Sequence, residues 1–196
     1  MPVVLEVEKL GKKSNKTKQK ILEAAKIAFS KKGYDGVSID GIAQLANVRK
    51  SLIYYYFPSK DVLFEEVWVN SIDELENELF GKEEEETVNY SMKIKNFLRR
   101  YIDFLTSKKA ISELIRREKA NVLDQESWKN AKKRYESFLQ KIEQMISEGK
   151  REKCINENVE PEVATEMIAI VDSVPRKNLL KRVEQMLLKV LLKDNV

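Results

Sequence analysis

Apolar residues recur at spacings of three and four along almost the whole chain, and no stretch alternates with the period of a strand. A sequence with that single period can bury its apolar side chains only by packing helices on helices, so an all-α fold is expected. Ile21, Ala24, Ala25, Ala28 and Phe29 form the first stripe, and Lys31, Lys32 and Gly33 end it with a dipole-matched turn and a glycine stop. Ser38 is a good N-cap, with Asp40 in the first turn, for a short helix carrying Ile42, Leu45 and Ala46. Asn47 tolerates the left-handed conformation, which makes Ala46-Asn47-Val48 a tight turn into a third helix, Arg49 to Tyr56. Pro58 disfavours the helical region at Phe57 and closes it. Ser59 caps a fourth helix running to about Phe80, and the acidic run Glu83 to Glu86 reads as an exposed connection. Further helices are expected at about 89–107, 109–121, 126–148, 161–174 and 177–193, separated by Asp124, Gly149, Pro161 and Pro175, which makes nine.

Composition removes most chemistry from such a bundle. Cys154 is the single cysteine and there is no histidine, so an intrachain disulfide, a Cys/His zinc site and a Ser-His-Asp or Cys-His nucleophile are all excluded. The acidic residues follow helical charge patterns that read as solvated faces; no metal, cofactor or enzymatic activity is expected. The apolar run Val3 to Leu5 is too short for a signal peptide, and the longest apolar stretch, Met167 to Val171, is far below the roughly 20 residues of a membrane span. A soluble, cytoplasmic protein is expected.

Charge is unevenly spread. Residues 1–60 hold 12 Lys/Arg against 5 Asp/Glu, while the remainder is slightly acidic. A basic N-terminal third suits a polyanion, because neutralised phosphates release counterions and supply affinity without sequence information. Two short helices meeting through a three-residue turn on this basic stretch form a helix-turn-helix arrangement. Ile42, Ala46, Val48, Ile53 and Phe57 recur on one side and are expected to pack on Ile21, Ala25 and Phe29. Arg49, Lys50, Ser51, Tyr54 and Tyr55 are left facing outward.

The run Lys50 to Lys60, Lys-Ser-Leu-Ile-Tyr-Tyr-Tyr-Phe-Pro-Ser-Lys, resembles the signature of the tetracycline-repressor (TetR) family. Ile21-Leu22, Ala24-Ala25, Phe29, Gly33-Tyr34, Ser38, Ile42-Ala43 and Ala46-Asn47-Val48 fall in the same order as that family's first two helices, and the likeness covers about residues 17–68. It implies a basic tail over 1–14, a three-helix DNA-binding head over 15–75 with the helix-turn-helix at about 38–57, and an effector-binding and dimerisation domain over 76–196. It also implies that Tyr54 and Lys60 bond phosphates, that Ser38 anchors the DNA backbone at a helix N-terminus, and that Arg49, Lys50, Ser51 and Tyr55 lie near base edges. Tyr56 is expected to pack beneath the turn. Two positions depart from the family pattern: Asn47 stands where glycine is usual, and Leu52 is a bulky apolar group, suited to a thymine methyl, where small or polar residues are common.

In the last helix Leu179, Val183, Met186 and Val190 form one stripe and Leu180, Leu187 and Leu191 a second, a face wider than one neighbour usually covers. With Val163, Met167, Ile170 and Val171 on the preceding helix, it is similar to the family's two-helix share of a dimeric four-helix bundle, so a homodimer is expected. The family places its effector pocket among the middle helices, whose aromatics are Trp68, Phe97, Tyr101, Phe104, Trp128, Tyr135 and Phe138; a small, largely apolar effector is implied. The function expected is a ligand-released repressor on a palindromic operator. The alternative is a helical module that keeps the head but answers to a protein partner.

Overall fold

The computed structural model describes residues 2–81, 89–174 and 177–193, and these residues are helical with short connections. The acidic run Glu83 to Glu86 and Pro175 lie outside them. The helices are α1 (Pro2–Lys32), α2 (Ile39–Ala46), α3 (Lys50–Tyr56), α4 (Lys60–Phe80), α5 (Tyr90–Ser107), α6 (Lys109–Asp124), α7 (Lys129–Arg151), α8 (Pro161–Ala169) and α9 (Leu180–Leu191), with 3-10 turns at Glu126–Trp128, Ile170–Ser173 and Lys177–Leu179. Among the described residues the only extended pairing recorded is an isolated bridge between Ile155 and Leu192. None of the described helices is long and apolar enough to cross a membrane.

Two compact units share the chain. The first is Met1–Asn70 with Glu113–Ala131, and the second is Ser71–Ser112 with Lys132–Val196, so the division falls inside α4 and α6. The sequence reading runs a second domain unbroken from residue 76; the first unit also includes Glu113–Ala131, whose Trp128 packs at a tilt against Phe64, with ring centroids 4.4 Å apart. The helix expected from Thr17 begins at Pro2.

In the first unit Ile21, Ala25 and Phe29 of α1, Ile42 of α2, Ile53 of α3, and Phe57, Leu63 and Phe64 are all withdrawn from water, with Phe29 edge-on to Phe64 at 5.2 Å. Each such aliphatic or phenyl side chain contributes about 1.5–3 kcal/mol by burial, which is what holds helices as short as α2 and α3 in place. Val48, expected in this core, is only half-buried, and Leu45 is exposed. Gly33 ends α1 with φ +72°, and a Cβ there would stand 2.8 Å from Glu118 Oε1, so both backbone and space require glycine.

The second unit is built on α5 and α7. Ile94, Phe97, Leu98, Tyr101 and Phe104 from α5 and Tyr135, Phe138, Ile142 and Ile146 from α7 are buried, and α9 packs on α5 through its Leu180, Leu187 and Leu191 face. Gly149, read from sequence as a helix stop, lies inside α7; a Cβ at that position would come within 3.0 Å of Ile94 Cδ1 and 3.1 Å of Ile155 Cδ1. Close packing, not termination, explains that glycine. The chain turns instead at Lys153, whose φ of 60° is left-handed. Across α4 and α7, Arg134 bonds Asp73 at 2.6 Å and Glu76 at 2.8 Å, and Lys141 also pairs with Glu76.

Candidate nucleic-acid interface

The Ser38 hydroxyl accepts the Gly41 N–H at 3.1 Å and starts α2, as its cap position requires. At the other end Asn47 sits at φ 47°, ψ 54°, donating its N–H to Gln44 O, while Val48 N–H reaches Ala43 O at 3.0 Å. Asparagine thus performs the left-handed turn in place of glycine. Arg49 is extended and precedes α3, and Phe57 closes it by donating to Ile53 O at 2.8 Å.

One side of α3 is committed to the core by Ile53 and the following Phe57, both fully buried. Helical geometry leaves Lys50, Ser51, Tyr54 and Tyr55 on the other side, and with Arg49 they are exposed; Tyr55 is 77% and Tyr54 45% accessible. Two large phenols this exposed, Tyr55 edge-on to Tyr56 at 5.0 Å, are available to another molecule. Lys50 is not idle: its ammonium lies 2.8 Å from Asp40, and that hydrogen bond, then the charge, raises its pKa above the usual lysine value. Ser38 is exposed beside this pair.

Tyr56 differs from its expectation. Rather than packing wholly beneath the turn it is half-buried, donates to the Ser14 carbonyl at 3.1 Å and shares a hydrogen bond with Ser14 Oγ at 2.9 Å, tying α3 to α1. The cause is its hydroxyl, which needs a polar partner that the core lacks. Lys60, at the first turn of α4, lies over the ring of Tyr34, its Nζ 4.1 Å from the centroid.

The seven aromatics expected to line an effector pocket are all buried, but they are not one group. Trp68 and Trp128 belong to the first unit, where Trp128 donates from Nε1 to Asp61 at 3.0 Å and packs on Tyr34 and Phe64. Phe97, Tyr101, Phe104, Tyr135 and Phe138 share the interior of the second unit. Burial, reinforced by the charge of Asp172, pushes the phenols of Tyr101 and Tyr135 well above their ordinary pKa, so both are hydrogen-bond donors there. Two grooves of this unit, of about 430 and 240 Å³, are lined by other side chains, Phe80 and Met145 in the larger and Leu139 and Thr165 in the smaller.

Of the residues expected at a dimer seam, Val163, Met167 and Ile170 on α8 and its continuation, and Met186 and Val190 on α9, are exposed, and Leu179 and Val183 are half-buried. Val171 and Leu187 correct the expectation. They are 2% and 6% accessible and belong to the core of the second unit, because they sit on the flank of each helix that turns inward. Tyr34, Asp61 and Glu118 escaped sequence reasoning as interacting residues; two acids on helical charge patterns carry no local sign that they will be withdrawn around a tyrosine.

Residues 21–67 match the family model described as bacterial regulatory proteins, TetR family. Over 60 residues the chain is 42% identical to the biofilm operon icaADBC HTH-type negative transcriptional regulator IcaR of Staphylococcus aureus, covering 31% of this chain and 32% of IcaR. It is 41% identical over 58 residues to the HTH-type transcriptional regulator YhgD of Bacillus subtilis, 30% of each. The chain thus aligns with about a third of the length of the curated relatives it matches. The fold is similar over far more. AibR, solved in complex with isovaleryl coenzyme A and operator DNA, superposes with a TM-score of 0.73 at 17% identity, covering 90% of this chain and 98% of AibR. FadR of Bacillus subtilis, solved with stearoyl-CoA, gives 0.71 at 16% identity, covering 88% and 98%. The TetR-family match thus lies on the helix-turn-helix, residues 21–67, whose α2–α3 surface is exposed, and the similarity beyond it is one of fold.

Proposed function

We propose that the chain is a homodimeric transcriptional repressor that binds a palindromic operator through α3 and leaves it when a small, largely apolar effector enters the second unit. The observation that carries this reading is the outward row Arg49, Lys50, Ser51, Tyr54 and Tyr55 on a helix whose other side is locked into the core. Arg49 and Lys50 are the groups suited to guanine edges in the major groove, with Tyr55 beside them; Tyr54, Lys60 and Ser38 serve the phosphates.

A helix the length of Lys50–Tyr56 spans about 10 Å, so a single copy reads few base pairs. A second copy supplies the rest. Val163, Met167 and Ile170 follow each other at helical spacing on one face, as do Leu179, Val183, Met186 and Val190, and two such apolar rows on one unit suit a self-complementary four-helix seam. The buried rings and two phenol donors of the second unit suit an apolar effector with a few polar atoms. AibR and FadR were solved with coenzyme A thioesters, which makes short and long acyl-CoAs the first effectors to try.

Mobility shift of the DNA upstream of the chain's own gene tests the reading. Binding should be saturable, resist competitor DNA and be released by an effector from an acyl-CoA or lipophile panel. Binding no tighter than to random DNA overturns the operator reading. Tight binding that no small molecule reverses, but a cell extract protein does, favours the partner-regulated alternative.

A further inference from the structure

Tyr34 stands at the junction of five side chains. Its backbone N–H is accepted by Glu118 Oε1 at 3.0 Å, and Glu118, 2% accessible, is held in turn by Asn121 Nδ2 at 3.0 Å. Its hydroxyl donates to Asp61 Oδ1 at 2.8 Å, the same oxygen that accepts Trp128 Nε1 at 3.0 Å. Burial first, then the Asp61 hydrogen bond and charge, hold the phenol far above its ordinary pKa, so it remains a donor. The ring meets Trp128 edge-on at 4.7 Å and Phe64 at 5.2 Å, and Lys60 Nζ lies over it at 4.1 Å. Every one of these partners belongs to the first unit.

We propose that Tyr34 is a positioning residue for DNA contact by Lys60, and that the segment Glu113–Ala131 keeps Tyr34 in place for that task. The proposal rests on the reading of Lys60 as a phosphate ligand. A lysine carries about 2 kcal/mol of rotamer entropy, and at the first turn of a helix the macrodipole repels its charge. Left to itself, Lys60 would spread over many rotamers. An ammonium over a phenol face gains about 0.5–2 kcal/mol, of the same size as that entropy, so the ring narrows the distribution before DNA arrives. Attraction to the ring uses the charge and leaves N–H donors for a phosphate. Asp61 holds the ring by its hydroxyl and Glu118 holds the backbone that carries it, and Asp61 is shared with Trp128. The recruited segment therefore acts on the DNA surface through two side chains, without touching DNA.

The test is the salt dependence of binding to a 30-base-pair duplex of random sequence, with the full chain as parent, Lys60→Ala, Tyr34→Leu, Tyr34→Phe and the Lys60→Ala/Tyr34→Leu double variant. Lys60→Ala should lower the log-log slope by about 0.9 per subunit, the value of one phosphate. Tyr34→Leu should lower it equally, the double variant no further, and Tyr34→Phe, which keeps the ring but gives up its hydrogen bond to Asp61, should recover most of the parental slope. Losses that add in the double variant, or a full slope in Tyr34→Leu, overturn the positioning role while leaving Lys60 at the phosphate. A full slope in Lys60→Ala removes the phosphate reading and the proposal together. Should Tyr34→Leu fail to fold, stepwise ring fluorination of Tyr34→Phe drains the negative face at nearly constant shape; the slope should fall with fluorine count, and an unchanged slope overturns the proposal. Trp128→Phe, which deletes the N–H to Asp61 and shrinks the ring packed on Tyr34, should lower the slope by less than Tyr34→Leu does, and no change removes the segment from the device.

Discussion

The ammonium of Lys50, the first residue of α3, lies 2.8 Å from the carboxylate of Asp40 in the first turn of α2, so a cation on the outward face of the helix-turn-helix is already paired before DNA is present. Both groups are exposed, and such a pair contributes little to stability. Its effect is on binding. Asp40→Ala should free Lys50 and remove a negative charge from the surface, raising affinity for all duplexes and steepening the salt slope. Fluorescence anisotropy against salt measures this; an unchanged or shallower slope would place Lys50 away from DNA.

Arg49 is exposed in its extended position ahead of α3 and makes no side-chain cap hydrogen bond there. Arg49→Ala should relax sequence preference at one symmetric pair of operator positions, since a bidentate base contact is worth about 1–3 kcal/mol. Selection from random duplexes reads this directly, and an identical sequence logo for variant and parent would sink the assignment.

Met186 and Leu187 are neighbours in α9 with opposite fates, 67% against 6% accessible. Met186→Glu should leave the subunit's thermal unfolding nearly unchanged but put an unpaired charge in the seam, giving monomers by sedimentation and operator affinity lower by orders of magnitude. Leu187→Ala should instead destabilise the subunit itself by about 2–5 kcal/mol. A Met186→Glu dimer of parental strength would show that this face is not the seam.

Glu76 has a depressed pKa: burial opposes the shift, but hydrogen bonds from Lys141 and Arg134, with their charges, outweigh it. A group whose folded pKa lies below its unfolded value of 4.5 contributes stability that is present above that pH and lost as pH falls through the folded value. Glu76→Gln should remove that contribution, lowering stability near neutrality by roughly 2 kcal/mol and flattening the acid limb between pH 5 and the folded pKa. Urea unfolding at several pH values checks it; parallel curves for variant and parent would deny the linkage.

Much of this chain was legible because its controls are local. Helix periods, the Ser38 cap, the left-handed Asn47 and Pro58 each act within a few residues, so the helix-turn-helix and its outward row could be read before any packing was known. The pattern also showed that the last two helices are apolar around more than one face. What it could not show is which flank each helix turns inward: Met186 and Leu187 are equally apolar, and only the placement of α5 against α9 buries one and leaves the other in water. Gly149 reads as a stop until Ile94, from the distant α5, and Ile155, from the turn that follows α7, arrive beside it. Trp128 reads as a pocket aromatic, and Glu118 and Asp61 as surface acids, until residues 113–131 return to the first unit across more than eighty positions and enclose Tyr34. Local propensity and period determine the elements and their turns. Burial, which depends on what meets each face from elsewhere in the chain, was decided by the tertiary structure alone.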